Sequence, residues 1–449
     1  MKKIIALSVA ATLATTLYAS DDLKMQIEML KAQIEKLEKQ VEKNNKSIKK
    51  NKENVNAVKI LANNDNIKWD VDFRTAYDNI QYKHASGAVS KNPDLLTNRL
   101  WLGMGYAPDA NNIFKGKLSY FKAYGDSANH SQANTNPGYA NFDWVTNENA
   151  NDNTIKVKEA YWLYMNDTFL GSDVAWTASV GRRPSTDGLG INLREGMKDN
   201  SPLSHTVNVE FDGASFKFNL DKVTGVPGMW WKACLGRGLT NAKPRFSMSG
   251  TDYAKDDTYD HDVNMYGFIF VPYDNGQYSL HTNWAKADNM IGMTINPNTG
   301  VLLTDGTYGT PTMTNPPKLS SFGSLELFTA MFKAEGIGNG ISDYLDDTRL
   351  FVSWAQSKTD PRAGKAMLGS TESQTGSSTW VGLNVPCVLS KDGRIGVEWN
   401  KGSKYWRSVT YGEDTMAGSK IAARGTAWEV YYTKPLTKAL TFNARYTDI

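Results

Sequence analysis

The stretch that decides the fold reads IKWDVDFR, residues 67–74. Its odd-numbered positions are all apolar and its even-numbered positions are all charged. A β-strand turns successive side chains to opposite faces, so a period of two separates an apolar face from a charged one. We predict a strand with one face shielded from water and the other exposed to it.

The same alternation returns along most of the chain, for example at 99–104, 115–120, 155–158, 394–399 and 440–446. A soluble sandwich and a membrane barrel share this pattern, because both need one apolar face. An export signal, aromatic residues at strand ends and unequal loops favour the barrel. We therefore predict an all-β fold, an antiparallel transmembrane β-barrel over residues 61–449.

The export signal occupies residues 1–19. Lys2 and Lys3 precede an apolar run to Leu17, and Ala19 is the small residue expected before cleavage, so the mature chain is predicted to begin at Ser20. Export implies an oxidising compartment. The chain has two cysteines, Cys234 and Cys387, which cannot form a disulfide framework and do not match zinc or iron–sulfur spacing.

Aromatic residues and loops support a membrane barrel. Pairs such as Tyr161-Trp162 and Tyr405-Trp406 fall near strand ends, where amphipathic rings favour a membrane–water boundary. Short connections alternate with long polar ones, as in outer-membrane barrels with brief periplasmic turns and long outer loops. The long connections are predicted at 125–153, 182–205, 238–261, 286–320, 357–374 and 402–424.

The strand count is fifteen or sixteen, depending on whether residues 206–220 form one strand or a hairpin that turns at Asp212-Gly213. Bacterial barrels usually have an even number of strands. The sequence ends at Ile449 without a terminal aromatic residue. We expect about sixteen strands, with a closing strand missing from this sequence, and a miscounted strand as the alternative.

Residues 20–60 carry a heptad pattern typical of a coiled coil in the periplasm. The apolar a and d positions are Leu23, Ile27, Leu30, Ile34, Leu37, Val41, Ile48, Val55 and Val58. Asn44 and Asn51 at d positions penalise other registers, which predicts a defined homo-oligomer of two or three chains. Ten Lys and seven acidic residues give residues 21–60 a net charge of +3, and this basic surface could contact the cell wall. A solitary solvated helix is the alternative.

The face opposite the apolar one would line a water-filled lumen. Predicted lining residues are Lys68, Asp70, Asp72, Arg74, Arg99, Lys115, Lys117, Lys156, Lys158, His281, Arg349, Arg394, Glu398, Glu429 and Arg445. The excess of cations predicts a mild anion preference. Charges that only solvate the wall would give none, because salt screens them over roughly 8–10 Å.

One long loop, 182–205, supplies candidates for a constriction. They are Arg182, Arg183, Asp187 and Arg194. Folded inward, this loop would narrow the pore; outside, its arginines would bind lipopolysaccharide phosphate.

Little in the sequence supports a catalytic site, a metal site or a nucleic-acid-binding surface. None of the five histidines lies in a motif that pairs a nucleophile with a base. The aspartates around His261 offer oxygen ligands but do not match the spacing of a calcium loop. The near balance of 50 basic against 47 acidic residues argues against a general nucleic-acid binder. We expect no enzyme, cofactor or metal site.

Three short motifs carry a family resemblance: GRRPSTDG at 181–188, NLREG at 192–196 and KEAY at 158–161. With the order of signal peptide, coiled coil and barrel, the chain resembles an uncharacterised porin-like outer-membrane family of epsilon-class Gram-negative bacteria. The resemblance implies a channel-type barrel, with a trimer as one arrangement. We expect a channel for passive diffusion of small hydrophilic solutes. The rivals are an adhesin or envelope-tethering protein that uses the barrel as an anchor, and an outer-membrane hydrolase with a converging Ser/His pair.

Overall fold

The computed structural model describes residues 28–35, 67–126, 150, 153–198, 200–239, 262–294, 318–410 and 418–449. The chain divides into two compact units, Met1–Asn66 and Ile67–Ile449. In the first unit, residues 28–35 form a helix, α1. The signal peptide and the rest of the predicted coiled coil lie outside the described residues.

The second unit is built from β-strands, which confirms the all-β prediction. In chain order they are β1 (Lys68–Lys83), β2 (Val89–Tyr106), β3 (Asn112–Ala123), β4 (Ile155–Asn166), β5 (Trp176–Arg183), β6 (Val207–Asn208), β7 (Phe211–Asn219), β8 (Trp230–Leu239), β9 (Val263–Asp274), β10 (Tyr278–Thr294), β11 (Lys318–Glu335), β12 (Arg349–Pro361), β13 (Thr375–Pro386), β14 (Arg394–Gly402), β15 (Val409–Thr410), β16 (Gly425–Pro435) and β17 (Thr441–Asp448).

Fifteen of these strands form one antiparallel sheet in which neighbours in space are neighbours in sequence, from β1 to β17 without β6 and β15. This is the up-and-down order of a membrane barrel. Among the described residues, β1 and β17 are not hydrogen-bonded to each other, so the sheet is not closed. The fifteen strands fall one short of the expected sixteen.

The uncertain stretch 206–220 forms neither one long strand nor a hairpin. Asp212 and Gly213 lie inside β7, paired with β5 and β8, so no turn occurs there. The preceding residues leave the sheet, and β6 pairs in parallel with β15. Val209, between β6 and β7, is fully buried, and burial of this apolar residue favours the departure from the sheet.

Several predicted loop boundaries fall inside strands. β10 continues to Thr294, β11 begins at Lys318 and β12 continues to Pro361. Arg182 and Arg183 likewise belong to β5 and not to the loop that follows. Ladder hydrogen bonds are made by the backbone, so the strands extend past the apolar residues that identify them in the sequence.

Helices are few and short in the described part of the second unit. They are α2 (Ile191–Glu195), α3 (Asp221–Thr224), α4 (Asp343–Asp346) and one 3₁₀ turn (Lys420–Ala422). None of the helices in the described ranges is long and apolar enough to cross a membrane.

A row of glycines crosses neighbouring strands of the sheet. Gly181 in β5 pairs with Gly213 in β7, which pairs with Gly236 in β8. A Cβ atom on Gly213 would overlap the carbonyl group of Leu235, so no other residue fits there without a shift of the backbone. Glycines of this kind permit tight bends in a sheet and leave its inner face bare.

Candidate functional site

The outer face of the sheet is apolar and exposed. Each of the fifteen sheet strands carries at least one exposed large hydrophobic side chain, such as Phe73 in β1, Trp162 in β4 and Val397 in β14. Soluble monomers rarely expose apolar patches larger than a few hundred Å². A hydrophobic surface that runs across every strand of a sheet is instead typical of a surface in contact with lipid.

The inner face is the one that contacts residues 184–198 and 200–210, which together we call the inserted segment. Pairing registers place fourteen of the fifteen predicted lining residues on this inner face, and Lys158, at a bulge, is placed there by its contact with Glu210. His281 follows the same alternation and contacts the Ser279 hydroxyl at 2.8 Å.

His205 fixes the inserted segment to strands far away in the sequence. Its Nδ1 lies 2.8 Å from Ser353 Oγ in β12, and its Nε2 lies 2.9 Å from Ser378 Oγ in β13. The ring also packs edge-on against Trp380 and Trp406. Complete burial lowers the pKa of His205 to about 3, so the ring is neutral at physiological pH.

Threonine and asparagine side chains extend this attachment. The Thr206 hydroxyl oxygen accepts hydrogen bonds from Thr329 in β11 at 2.7 Å and from Asn283 in β10 at 3.2 Å. Apolar side chains from the segment, including Leu189, Ile191 and Leu203, pack against Met331 and Phe351. The inserted segment therefore covers much of the inner face of β10 to β13.

A second segment, of which residues 403–410 and 418–424 are described, enters the interior beside the first. Trp406 is completely buried and donates through Nε1 to the carbonyl oxygen of Ile421 at 2.8 Å. The parallel pairing of β6 with β15 joins the two segments. The 3₁₀ turn then brings Lys420 into the interior.

Four buried charges meet where these segments reach β14 and β16. Glu398 and Glu429 lie directly opposite each other in the register. Lys420 Nζ contacts both, each at 2.7 Å, and Arg194 of α2 reaches Glu429 at 3.3 Å. Two adjacent buried carboxylates repel unless cations compensate them, so the inserted cations and the strand carboxylates require each other.

Glu195 lies beside this buried cluster. It accepts from Arg194 at 2.7 Å and lies 3.8 Å from Arg445 of β17. Burial raises the pKa of Glu195, but the cations of Arg194, Arg445 and Arg74 outweigh it and hold the pKa at about 2. Arg74 belongs to β1 and Arg445 to β17, so both edges of the sheet approach the same carboxylate and the sheet curves round the segment.

The opposite wall, from β1 to β4, is basic with interleaved acids. Arg99 contacts Asp72 at 3.1 Å, and its guanidinium stacks 3.5 Å above the ring of Trp101. Lys117 pairs with Glu159 at 2.8 Å, and Lys158 pairs with Glu210 of the inserted segment at 2.7 Å. Three of the ten predicted lining cations, all on this wall, are therefore compensated by acids in the interior.

The four constriction candidates have different positions. Arg194 lies in the buried charge cluster, and Asp187 is buried with its backbone N–H donating to Asn208 Oδ1 at 2.6 Å. Arg183, at the end of β5, lies 4.9 Å from the ring centre of Tyr161. The register puts Arg182 on the outer face near Asp212, at 3.6 Å. The loop thus enters the interior, but Arg182 does not enter with it.

Several interior residues escaped the sequence analysis: Trp101, Glu159, Glu195, Glu210 and Lys420. Strict alternation after Lys158 turns Glu159 outward, yet a bulge between β3 and β4 directs both residues inward. Glu195, Glu210 and Lys420 lie in connections to which no alternation applies. Trp101 could have been predicted from the sequence, since it alternates with Arg99 in β2.

The aspartates around His261 fall mostly outside the described ranges, and within these ranges no group of His, Cys, Asp or Glu could hold a metal.

Comparison with known proteins shows a match to one family model, for which no activity is assigned. A family model described as Protein of unknown function (DUF3373) matches residues 89–449. No curated protein matches the chain.

Solved structures with similarity to the chain include outer-membrane porins. OmpT of Vibrio cholerae in its trimer form is 10% identical with a TM-score of 0.43, over 86% of this chain and 89% of that one. An anion-selective porin from Comamonas acidovorans is 12% identical with a TM-score of 0.44, over 85% and 89%. OmpF of Salmonella typhi, in complex with daunomycin, is 11% identical with a TM-score of 0.38, over 85% and 98%.

Proposed function

The chain belongs to this DUF3373 family of unknown function, and from that premise we propose that it is an outer-membrane, porin-like channel for passive diffusion of small hydrophilic solutes. One observation carries the proposal: all fifteen sheet strands expose apolar side chains on one face, while the other face holds paired charges. Hydrocarbon outside and water inside satisfy both faces at once.

Passive diffusion through the channel requires no covalent bond to be made or broken. A solute would pass between the basic wall of β1 to β4 and the inserted segment, where Arg445 lies 3.8 Å from Glu195. Fixed charges close to a narrow path bias which ions enter. The ion pairs of Lys117 and Lys158 reduce the local positive field, so we propose that the anion preference is mild.

The assembly part of the proposal rests on the sequence. Heptads in residues 20–60 support a periplasmic coiled coil that joins copies of the chain, with two or three strands both compatible. Contact with lipopolysaccharide at the outer loops, and of the basic coil surface with the cell wall, belongs to the same proposal.

The test is conductance of the purified full-length protein in planar lipid bilayers. We expect discrete steps, and a salt gradient should give a reversal potential displaced modestly toward anions. A stable barrel without current steps at any voltage would contradict the channel.

A second candidate is an adhesin or envelope-tethering protein whose barrel is only an anchor. The inserted segment and the second segment favour the anchor, because their apolar residues fill the interior over β10 to β13. An anchor would pass no stable current, yet would retain a partner on its outer loops. The same conductance experiment therefore separates the two functions.

A further inference from the structure

We propose that the inner face holds a binding site for a small monocarboxylate with an apolar body, in the cavity between the inserted segment and strands β5, β7, β8 and β9. The inference rests on the proposed function in one respect, because the ligand would reach the site through the lumen. It names the class of solute that the channel holds.

The cations at this cavity differ from those of the basic wall. Arg99, Lys117 and Lys158 each have a carboxylate partner on the inner face. Lys232 of β8 and Arg183 of β5 line the cavity, and no carboxylate of the described residues lies within ion-pair distance of either. A partly buried cation without a counter-charge is costly, and an anionic ligand would supply the missing charge.

Lys232 is also positioned for a carboxylate. Within the described ranges its ammonium group donates one hydrogen bond, to Ser201 Oγ of the inserted segment at 3.0 Å, and its other two N–H groups can donate to a ligand. Because Ser201 accepts this bond, its own hydroxyl proton can be donated to a second carboxylate oxygen. Lys217 of β7, stacked 4.3 Å over Trp230, adds positive charge on the same stretch of the inner face.

The rest of the cavity is apolar. Pro202, Val207, Phe211, Met265 and Ile269 line it. Ligand sites typically combine apolar walls with a few polar groups. A bare inorganic anion would use only the cationic end, whereas a monocarboxylate with an apolar body would contact both parts.

The test is equilibrium binding of benzoate to the purified full-length protein in detergent, by isothermal titration calorimetry. We expect benzoate to bind and the uncharged isostere benzamide to bind at least tenfold more weakly. Lys232→Met should weaken benzoate binding by about ten- to hundredfold, since it removes a charge-assisted contact. Lys286→Met, on the outer face of β10, is the matched control and should leave binding unchanged.

Folding of each variant is checked by its heat-sensitive electrophoretic mobility, and Lys232→Arg, which keeps the charge, should retain binding within a few-fold. Equal benzoate binding by the wild type and Lys232→Met would overturn the site, as would equal binding of benzoate and benzamide. Absence of benzoate binding in a protein that conducts would overturn the site and leave the channel standing. Binding in a protein that does not conduct would support the site and contradict the channel.

Discussion

At the scale of single residues, the interior depends on side chains that compensate one another. Glu398 and Glu429 face each other across β14 and β16, and Lys420 contacts both. All three are almost fully buried. Loss of one partner of a buried ion pair leaves an uncompensated charge, which costs more than loss of a pair at the surface.

Lys420→Met should therefore lower the free energy of unfolding by about 3–5 kcal/mol. The expected measurement is urea unfolding of the protein reconstituted in lipid vesicles. Lys401→Met, on the exposed outer side of β14, is the matched control and should change stability by less than about 1 kcal/mol. Similar stability of the two variants would show that the charge cluster does not hold the inserted segments.

Burial of the His205 ring predicts that the free energy of unfolding depends on pH. Its folded-state pKa of about 3 lies below the ordinary value of 6.5, so the unfolded chain binds a proton that the folded chain does not. Stability contributed by the neutral ring is fully present above pH 6.5 and is lost as pH falls toward 3, by about 1.4 kcal/mol per pH unit. His205→Gln removes this titration and should flatten unfolding stability between pH 6.5 and 4.5.

The control for His205 is His84→Gln, in the exposed turn between β1 and β2. The stability of the His84→Gln variant should depend on pH as that of the wild type does. If His205→Gln kept the pH slope of the wild type, the ring would not be buried between Ser353 and Ser378.

At the scale of elements, the inserted segment depends on close approach to the sheet. Gly190 precedes α2 with a φ of 104°, and a Cβ atom there would overlap the indole ring of Trp380. Gly196 follows α2 with a φ of 68°, but a Cβ atom there would meet nothing within 4 Å. A comparison of alanine variants at the two positions therefore separates the cost of backbone strain from the cost of side-chain overlap.

Gly190→Ala should destabilise the protein by at least about 2 kcal/mol more than Gly196→Ala, because overlap in a packed interior adds to the strain of a left-handed backbone. Unfolding of both variants in lipid vesicles measures the difference. If the segment leaves the lumen, the single-channel conductance of Gly190→Ala should also exceed that of Gly196→Ala. Equal stability and conductance in the two variants would contradict close packing of the segment on Trp380.

At the scale of the whole molecule, the outer face distinguishes a membrane protein from a water-soluble one. Val397, near the middle of β14, is 45% exposed in the isolated chain. In water, arginine at such a position costs almost nothing. In a bilayer the same side chain would face hydrocarbon.

Val397→Arg should therefore lower unfolding stability in lipid vesicles by about 2–4 kcal/mol. Val388→Arg, in the turn between β13 and β14, makes the same chemical change at a water-exposed site and should be neutral within about 0.5 kcal/mol. Neutral behaviour of Val397→Arg would place the outer face in water and remove the basis of the transport proposal.

The strands and the two faces of the sheet could be predicted from the amino-acid sequence alone. The period of two at residues 67–74 returns in strand after strand, and it depends only on the geometry of one extended chain. That is why Asp72, Arg99, Lys117 and Glu429 could be assigned to one face without a structure. Alternation failed at Glu159, where a bulge inserts one extra residue, because pairing between two strands decides bulges.

The segments that fill the interior and the charges that meet there depend on contacts between distant parts of the chain. Arg194 contacts Glu429 across 235 positions of sequence, and His205 contacts Ser378 across 173. Such contacts arise because the sheet curves and two connections fold inside it, and no local pattern encodes either event. For the same reason no sequence pattern indicates that Lys232 and Arg183, on separate strands, share one cavity without a carboxylate partner among the described residues.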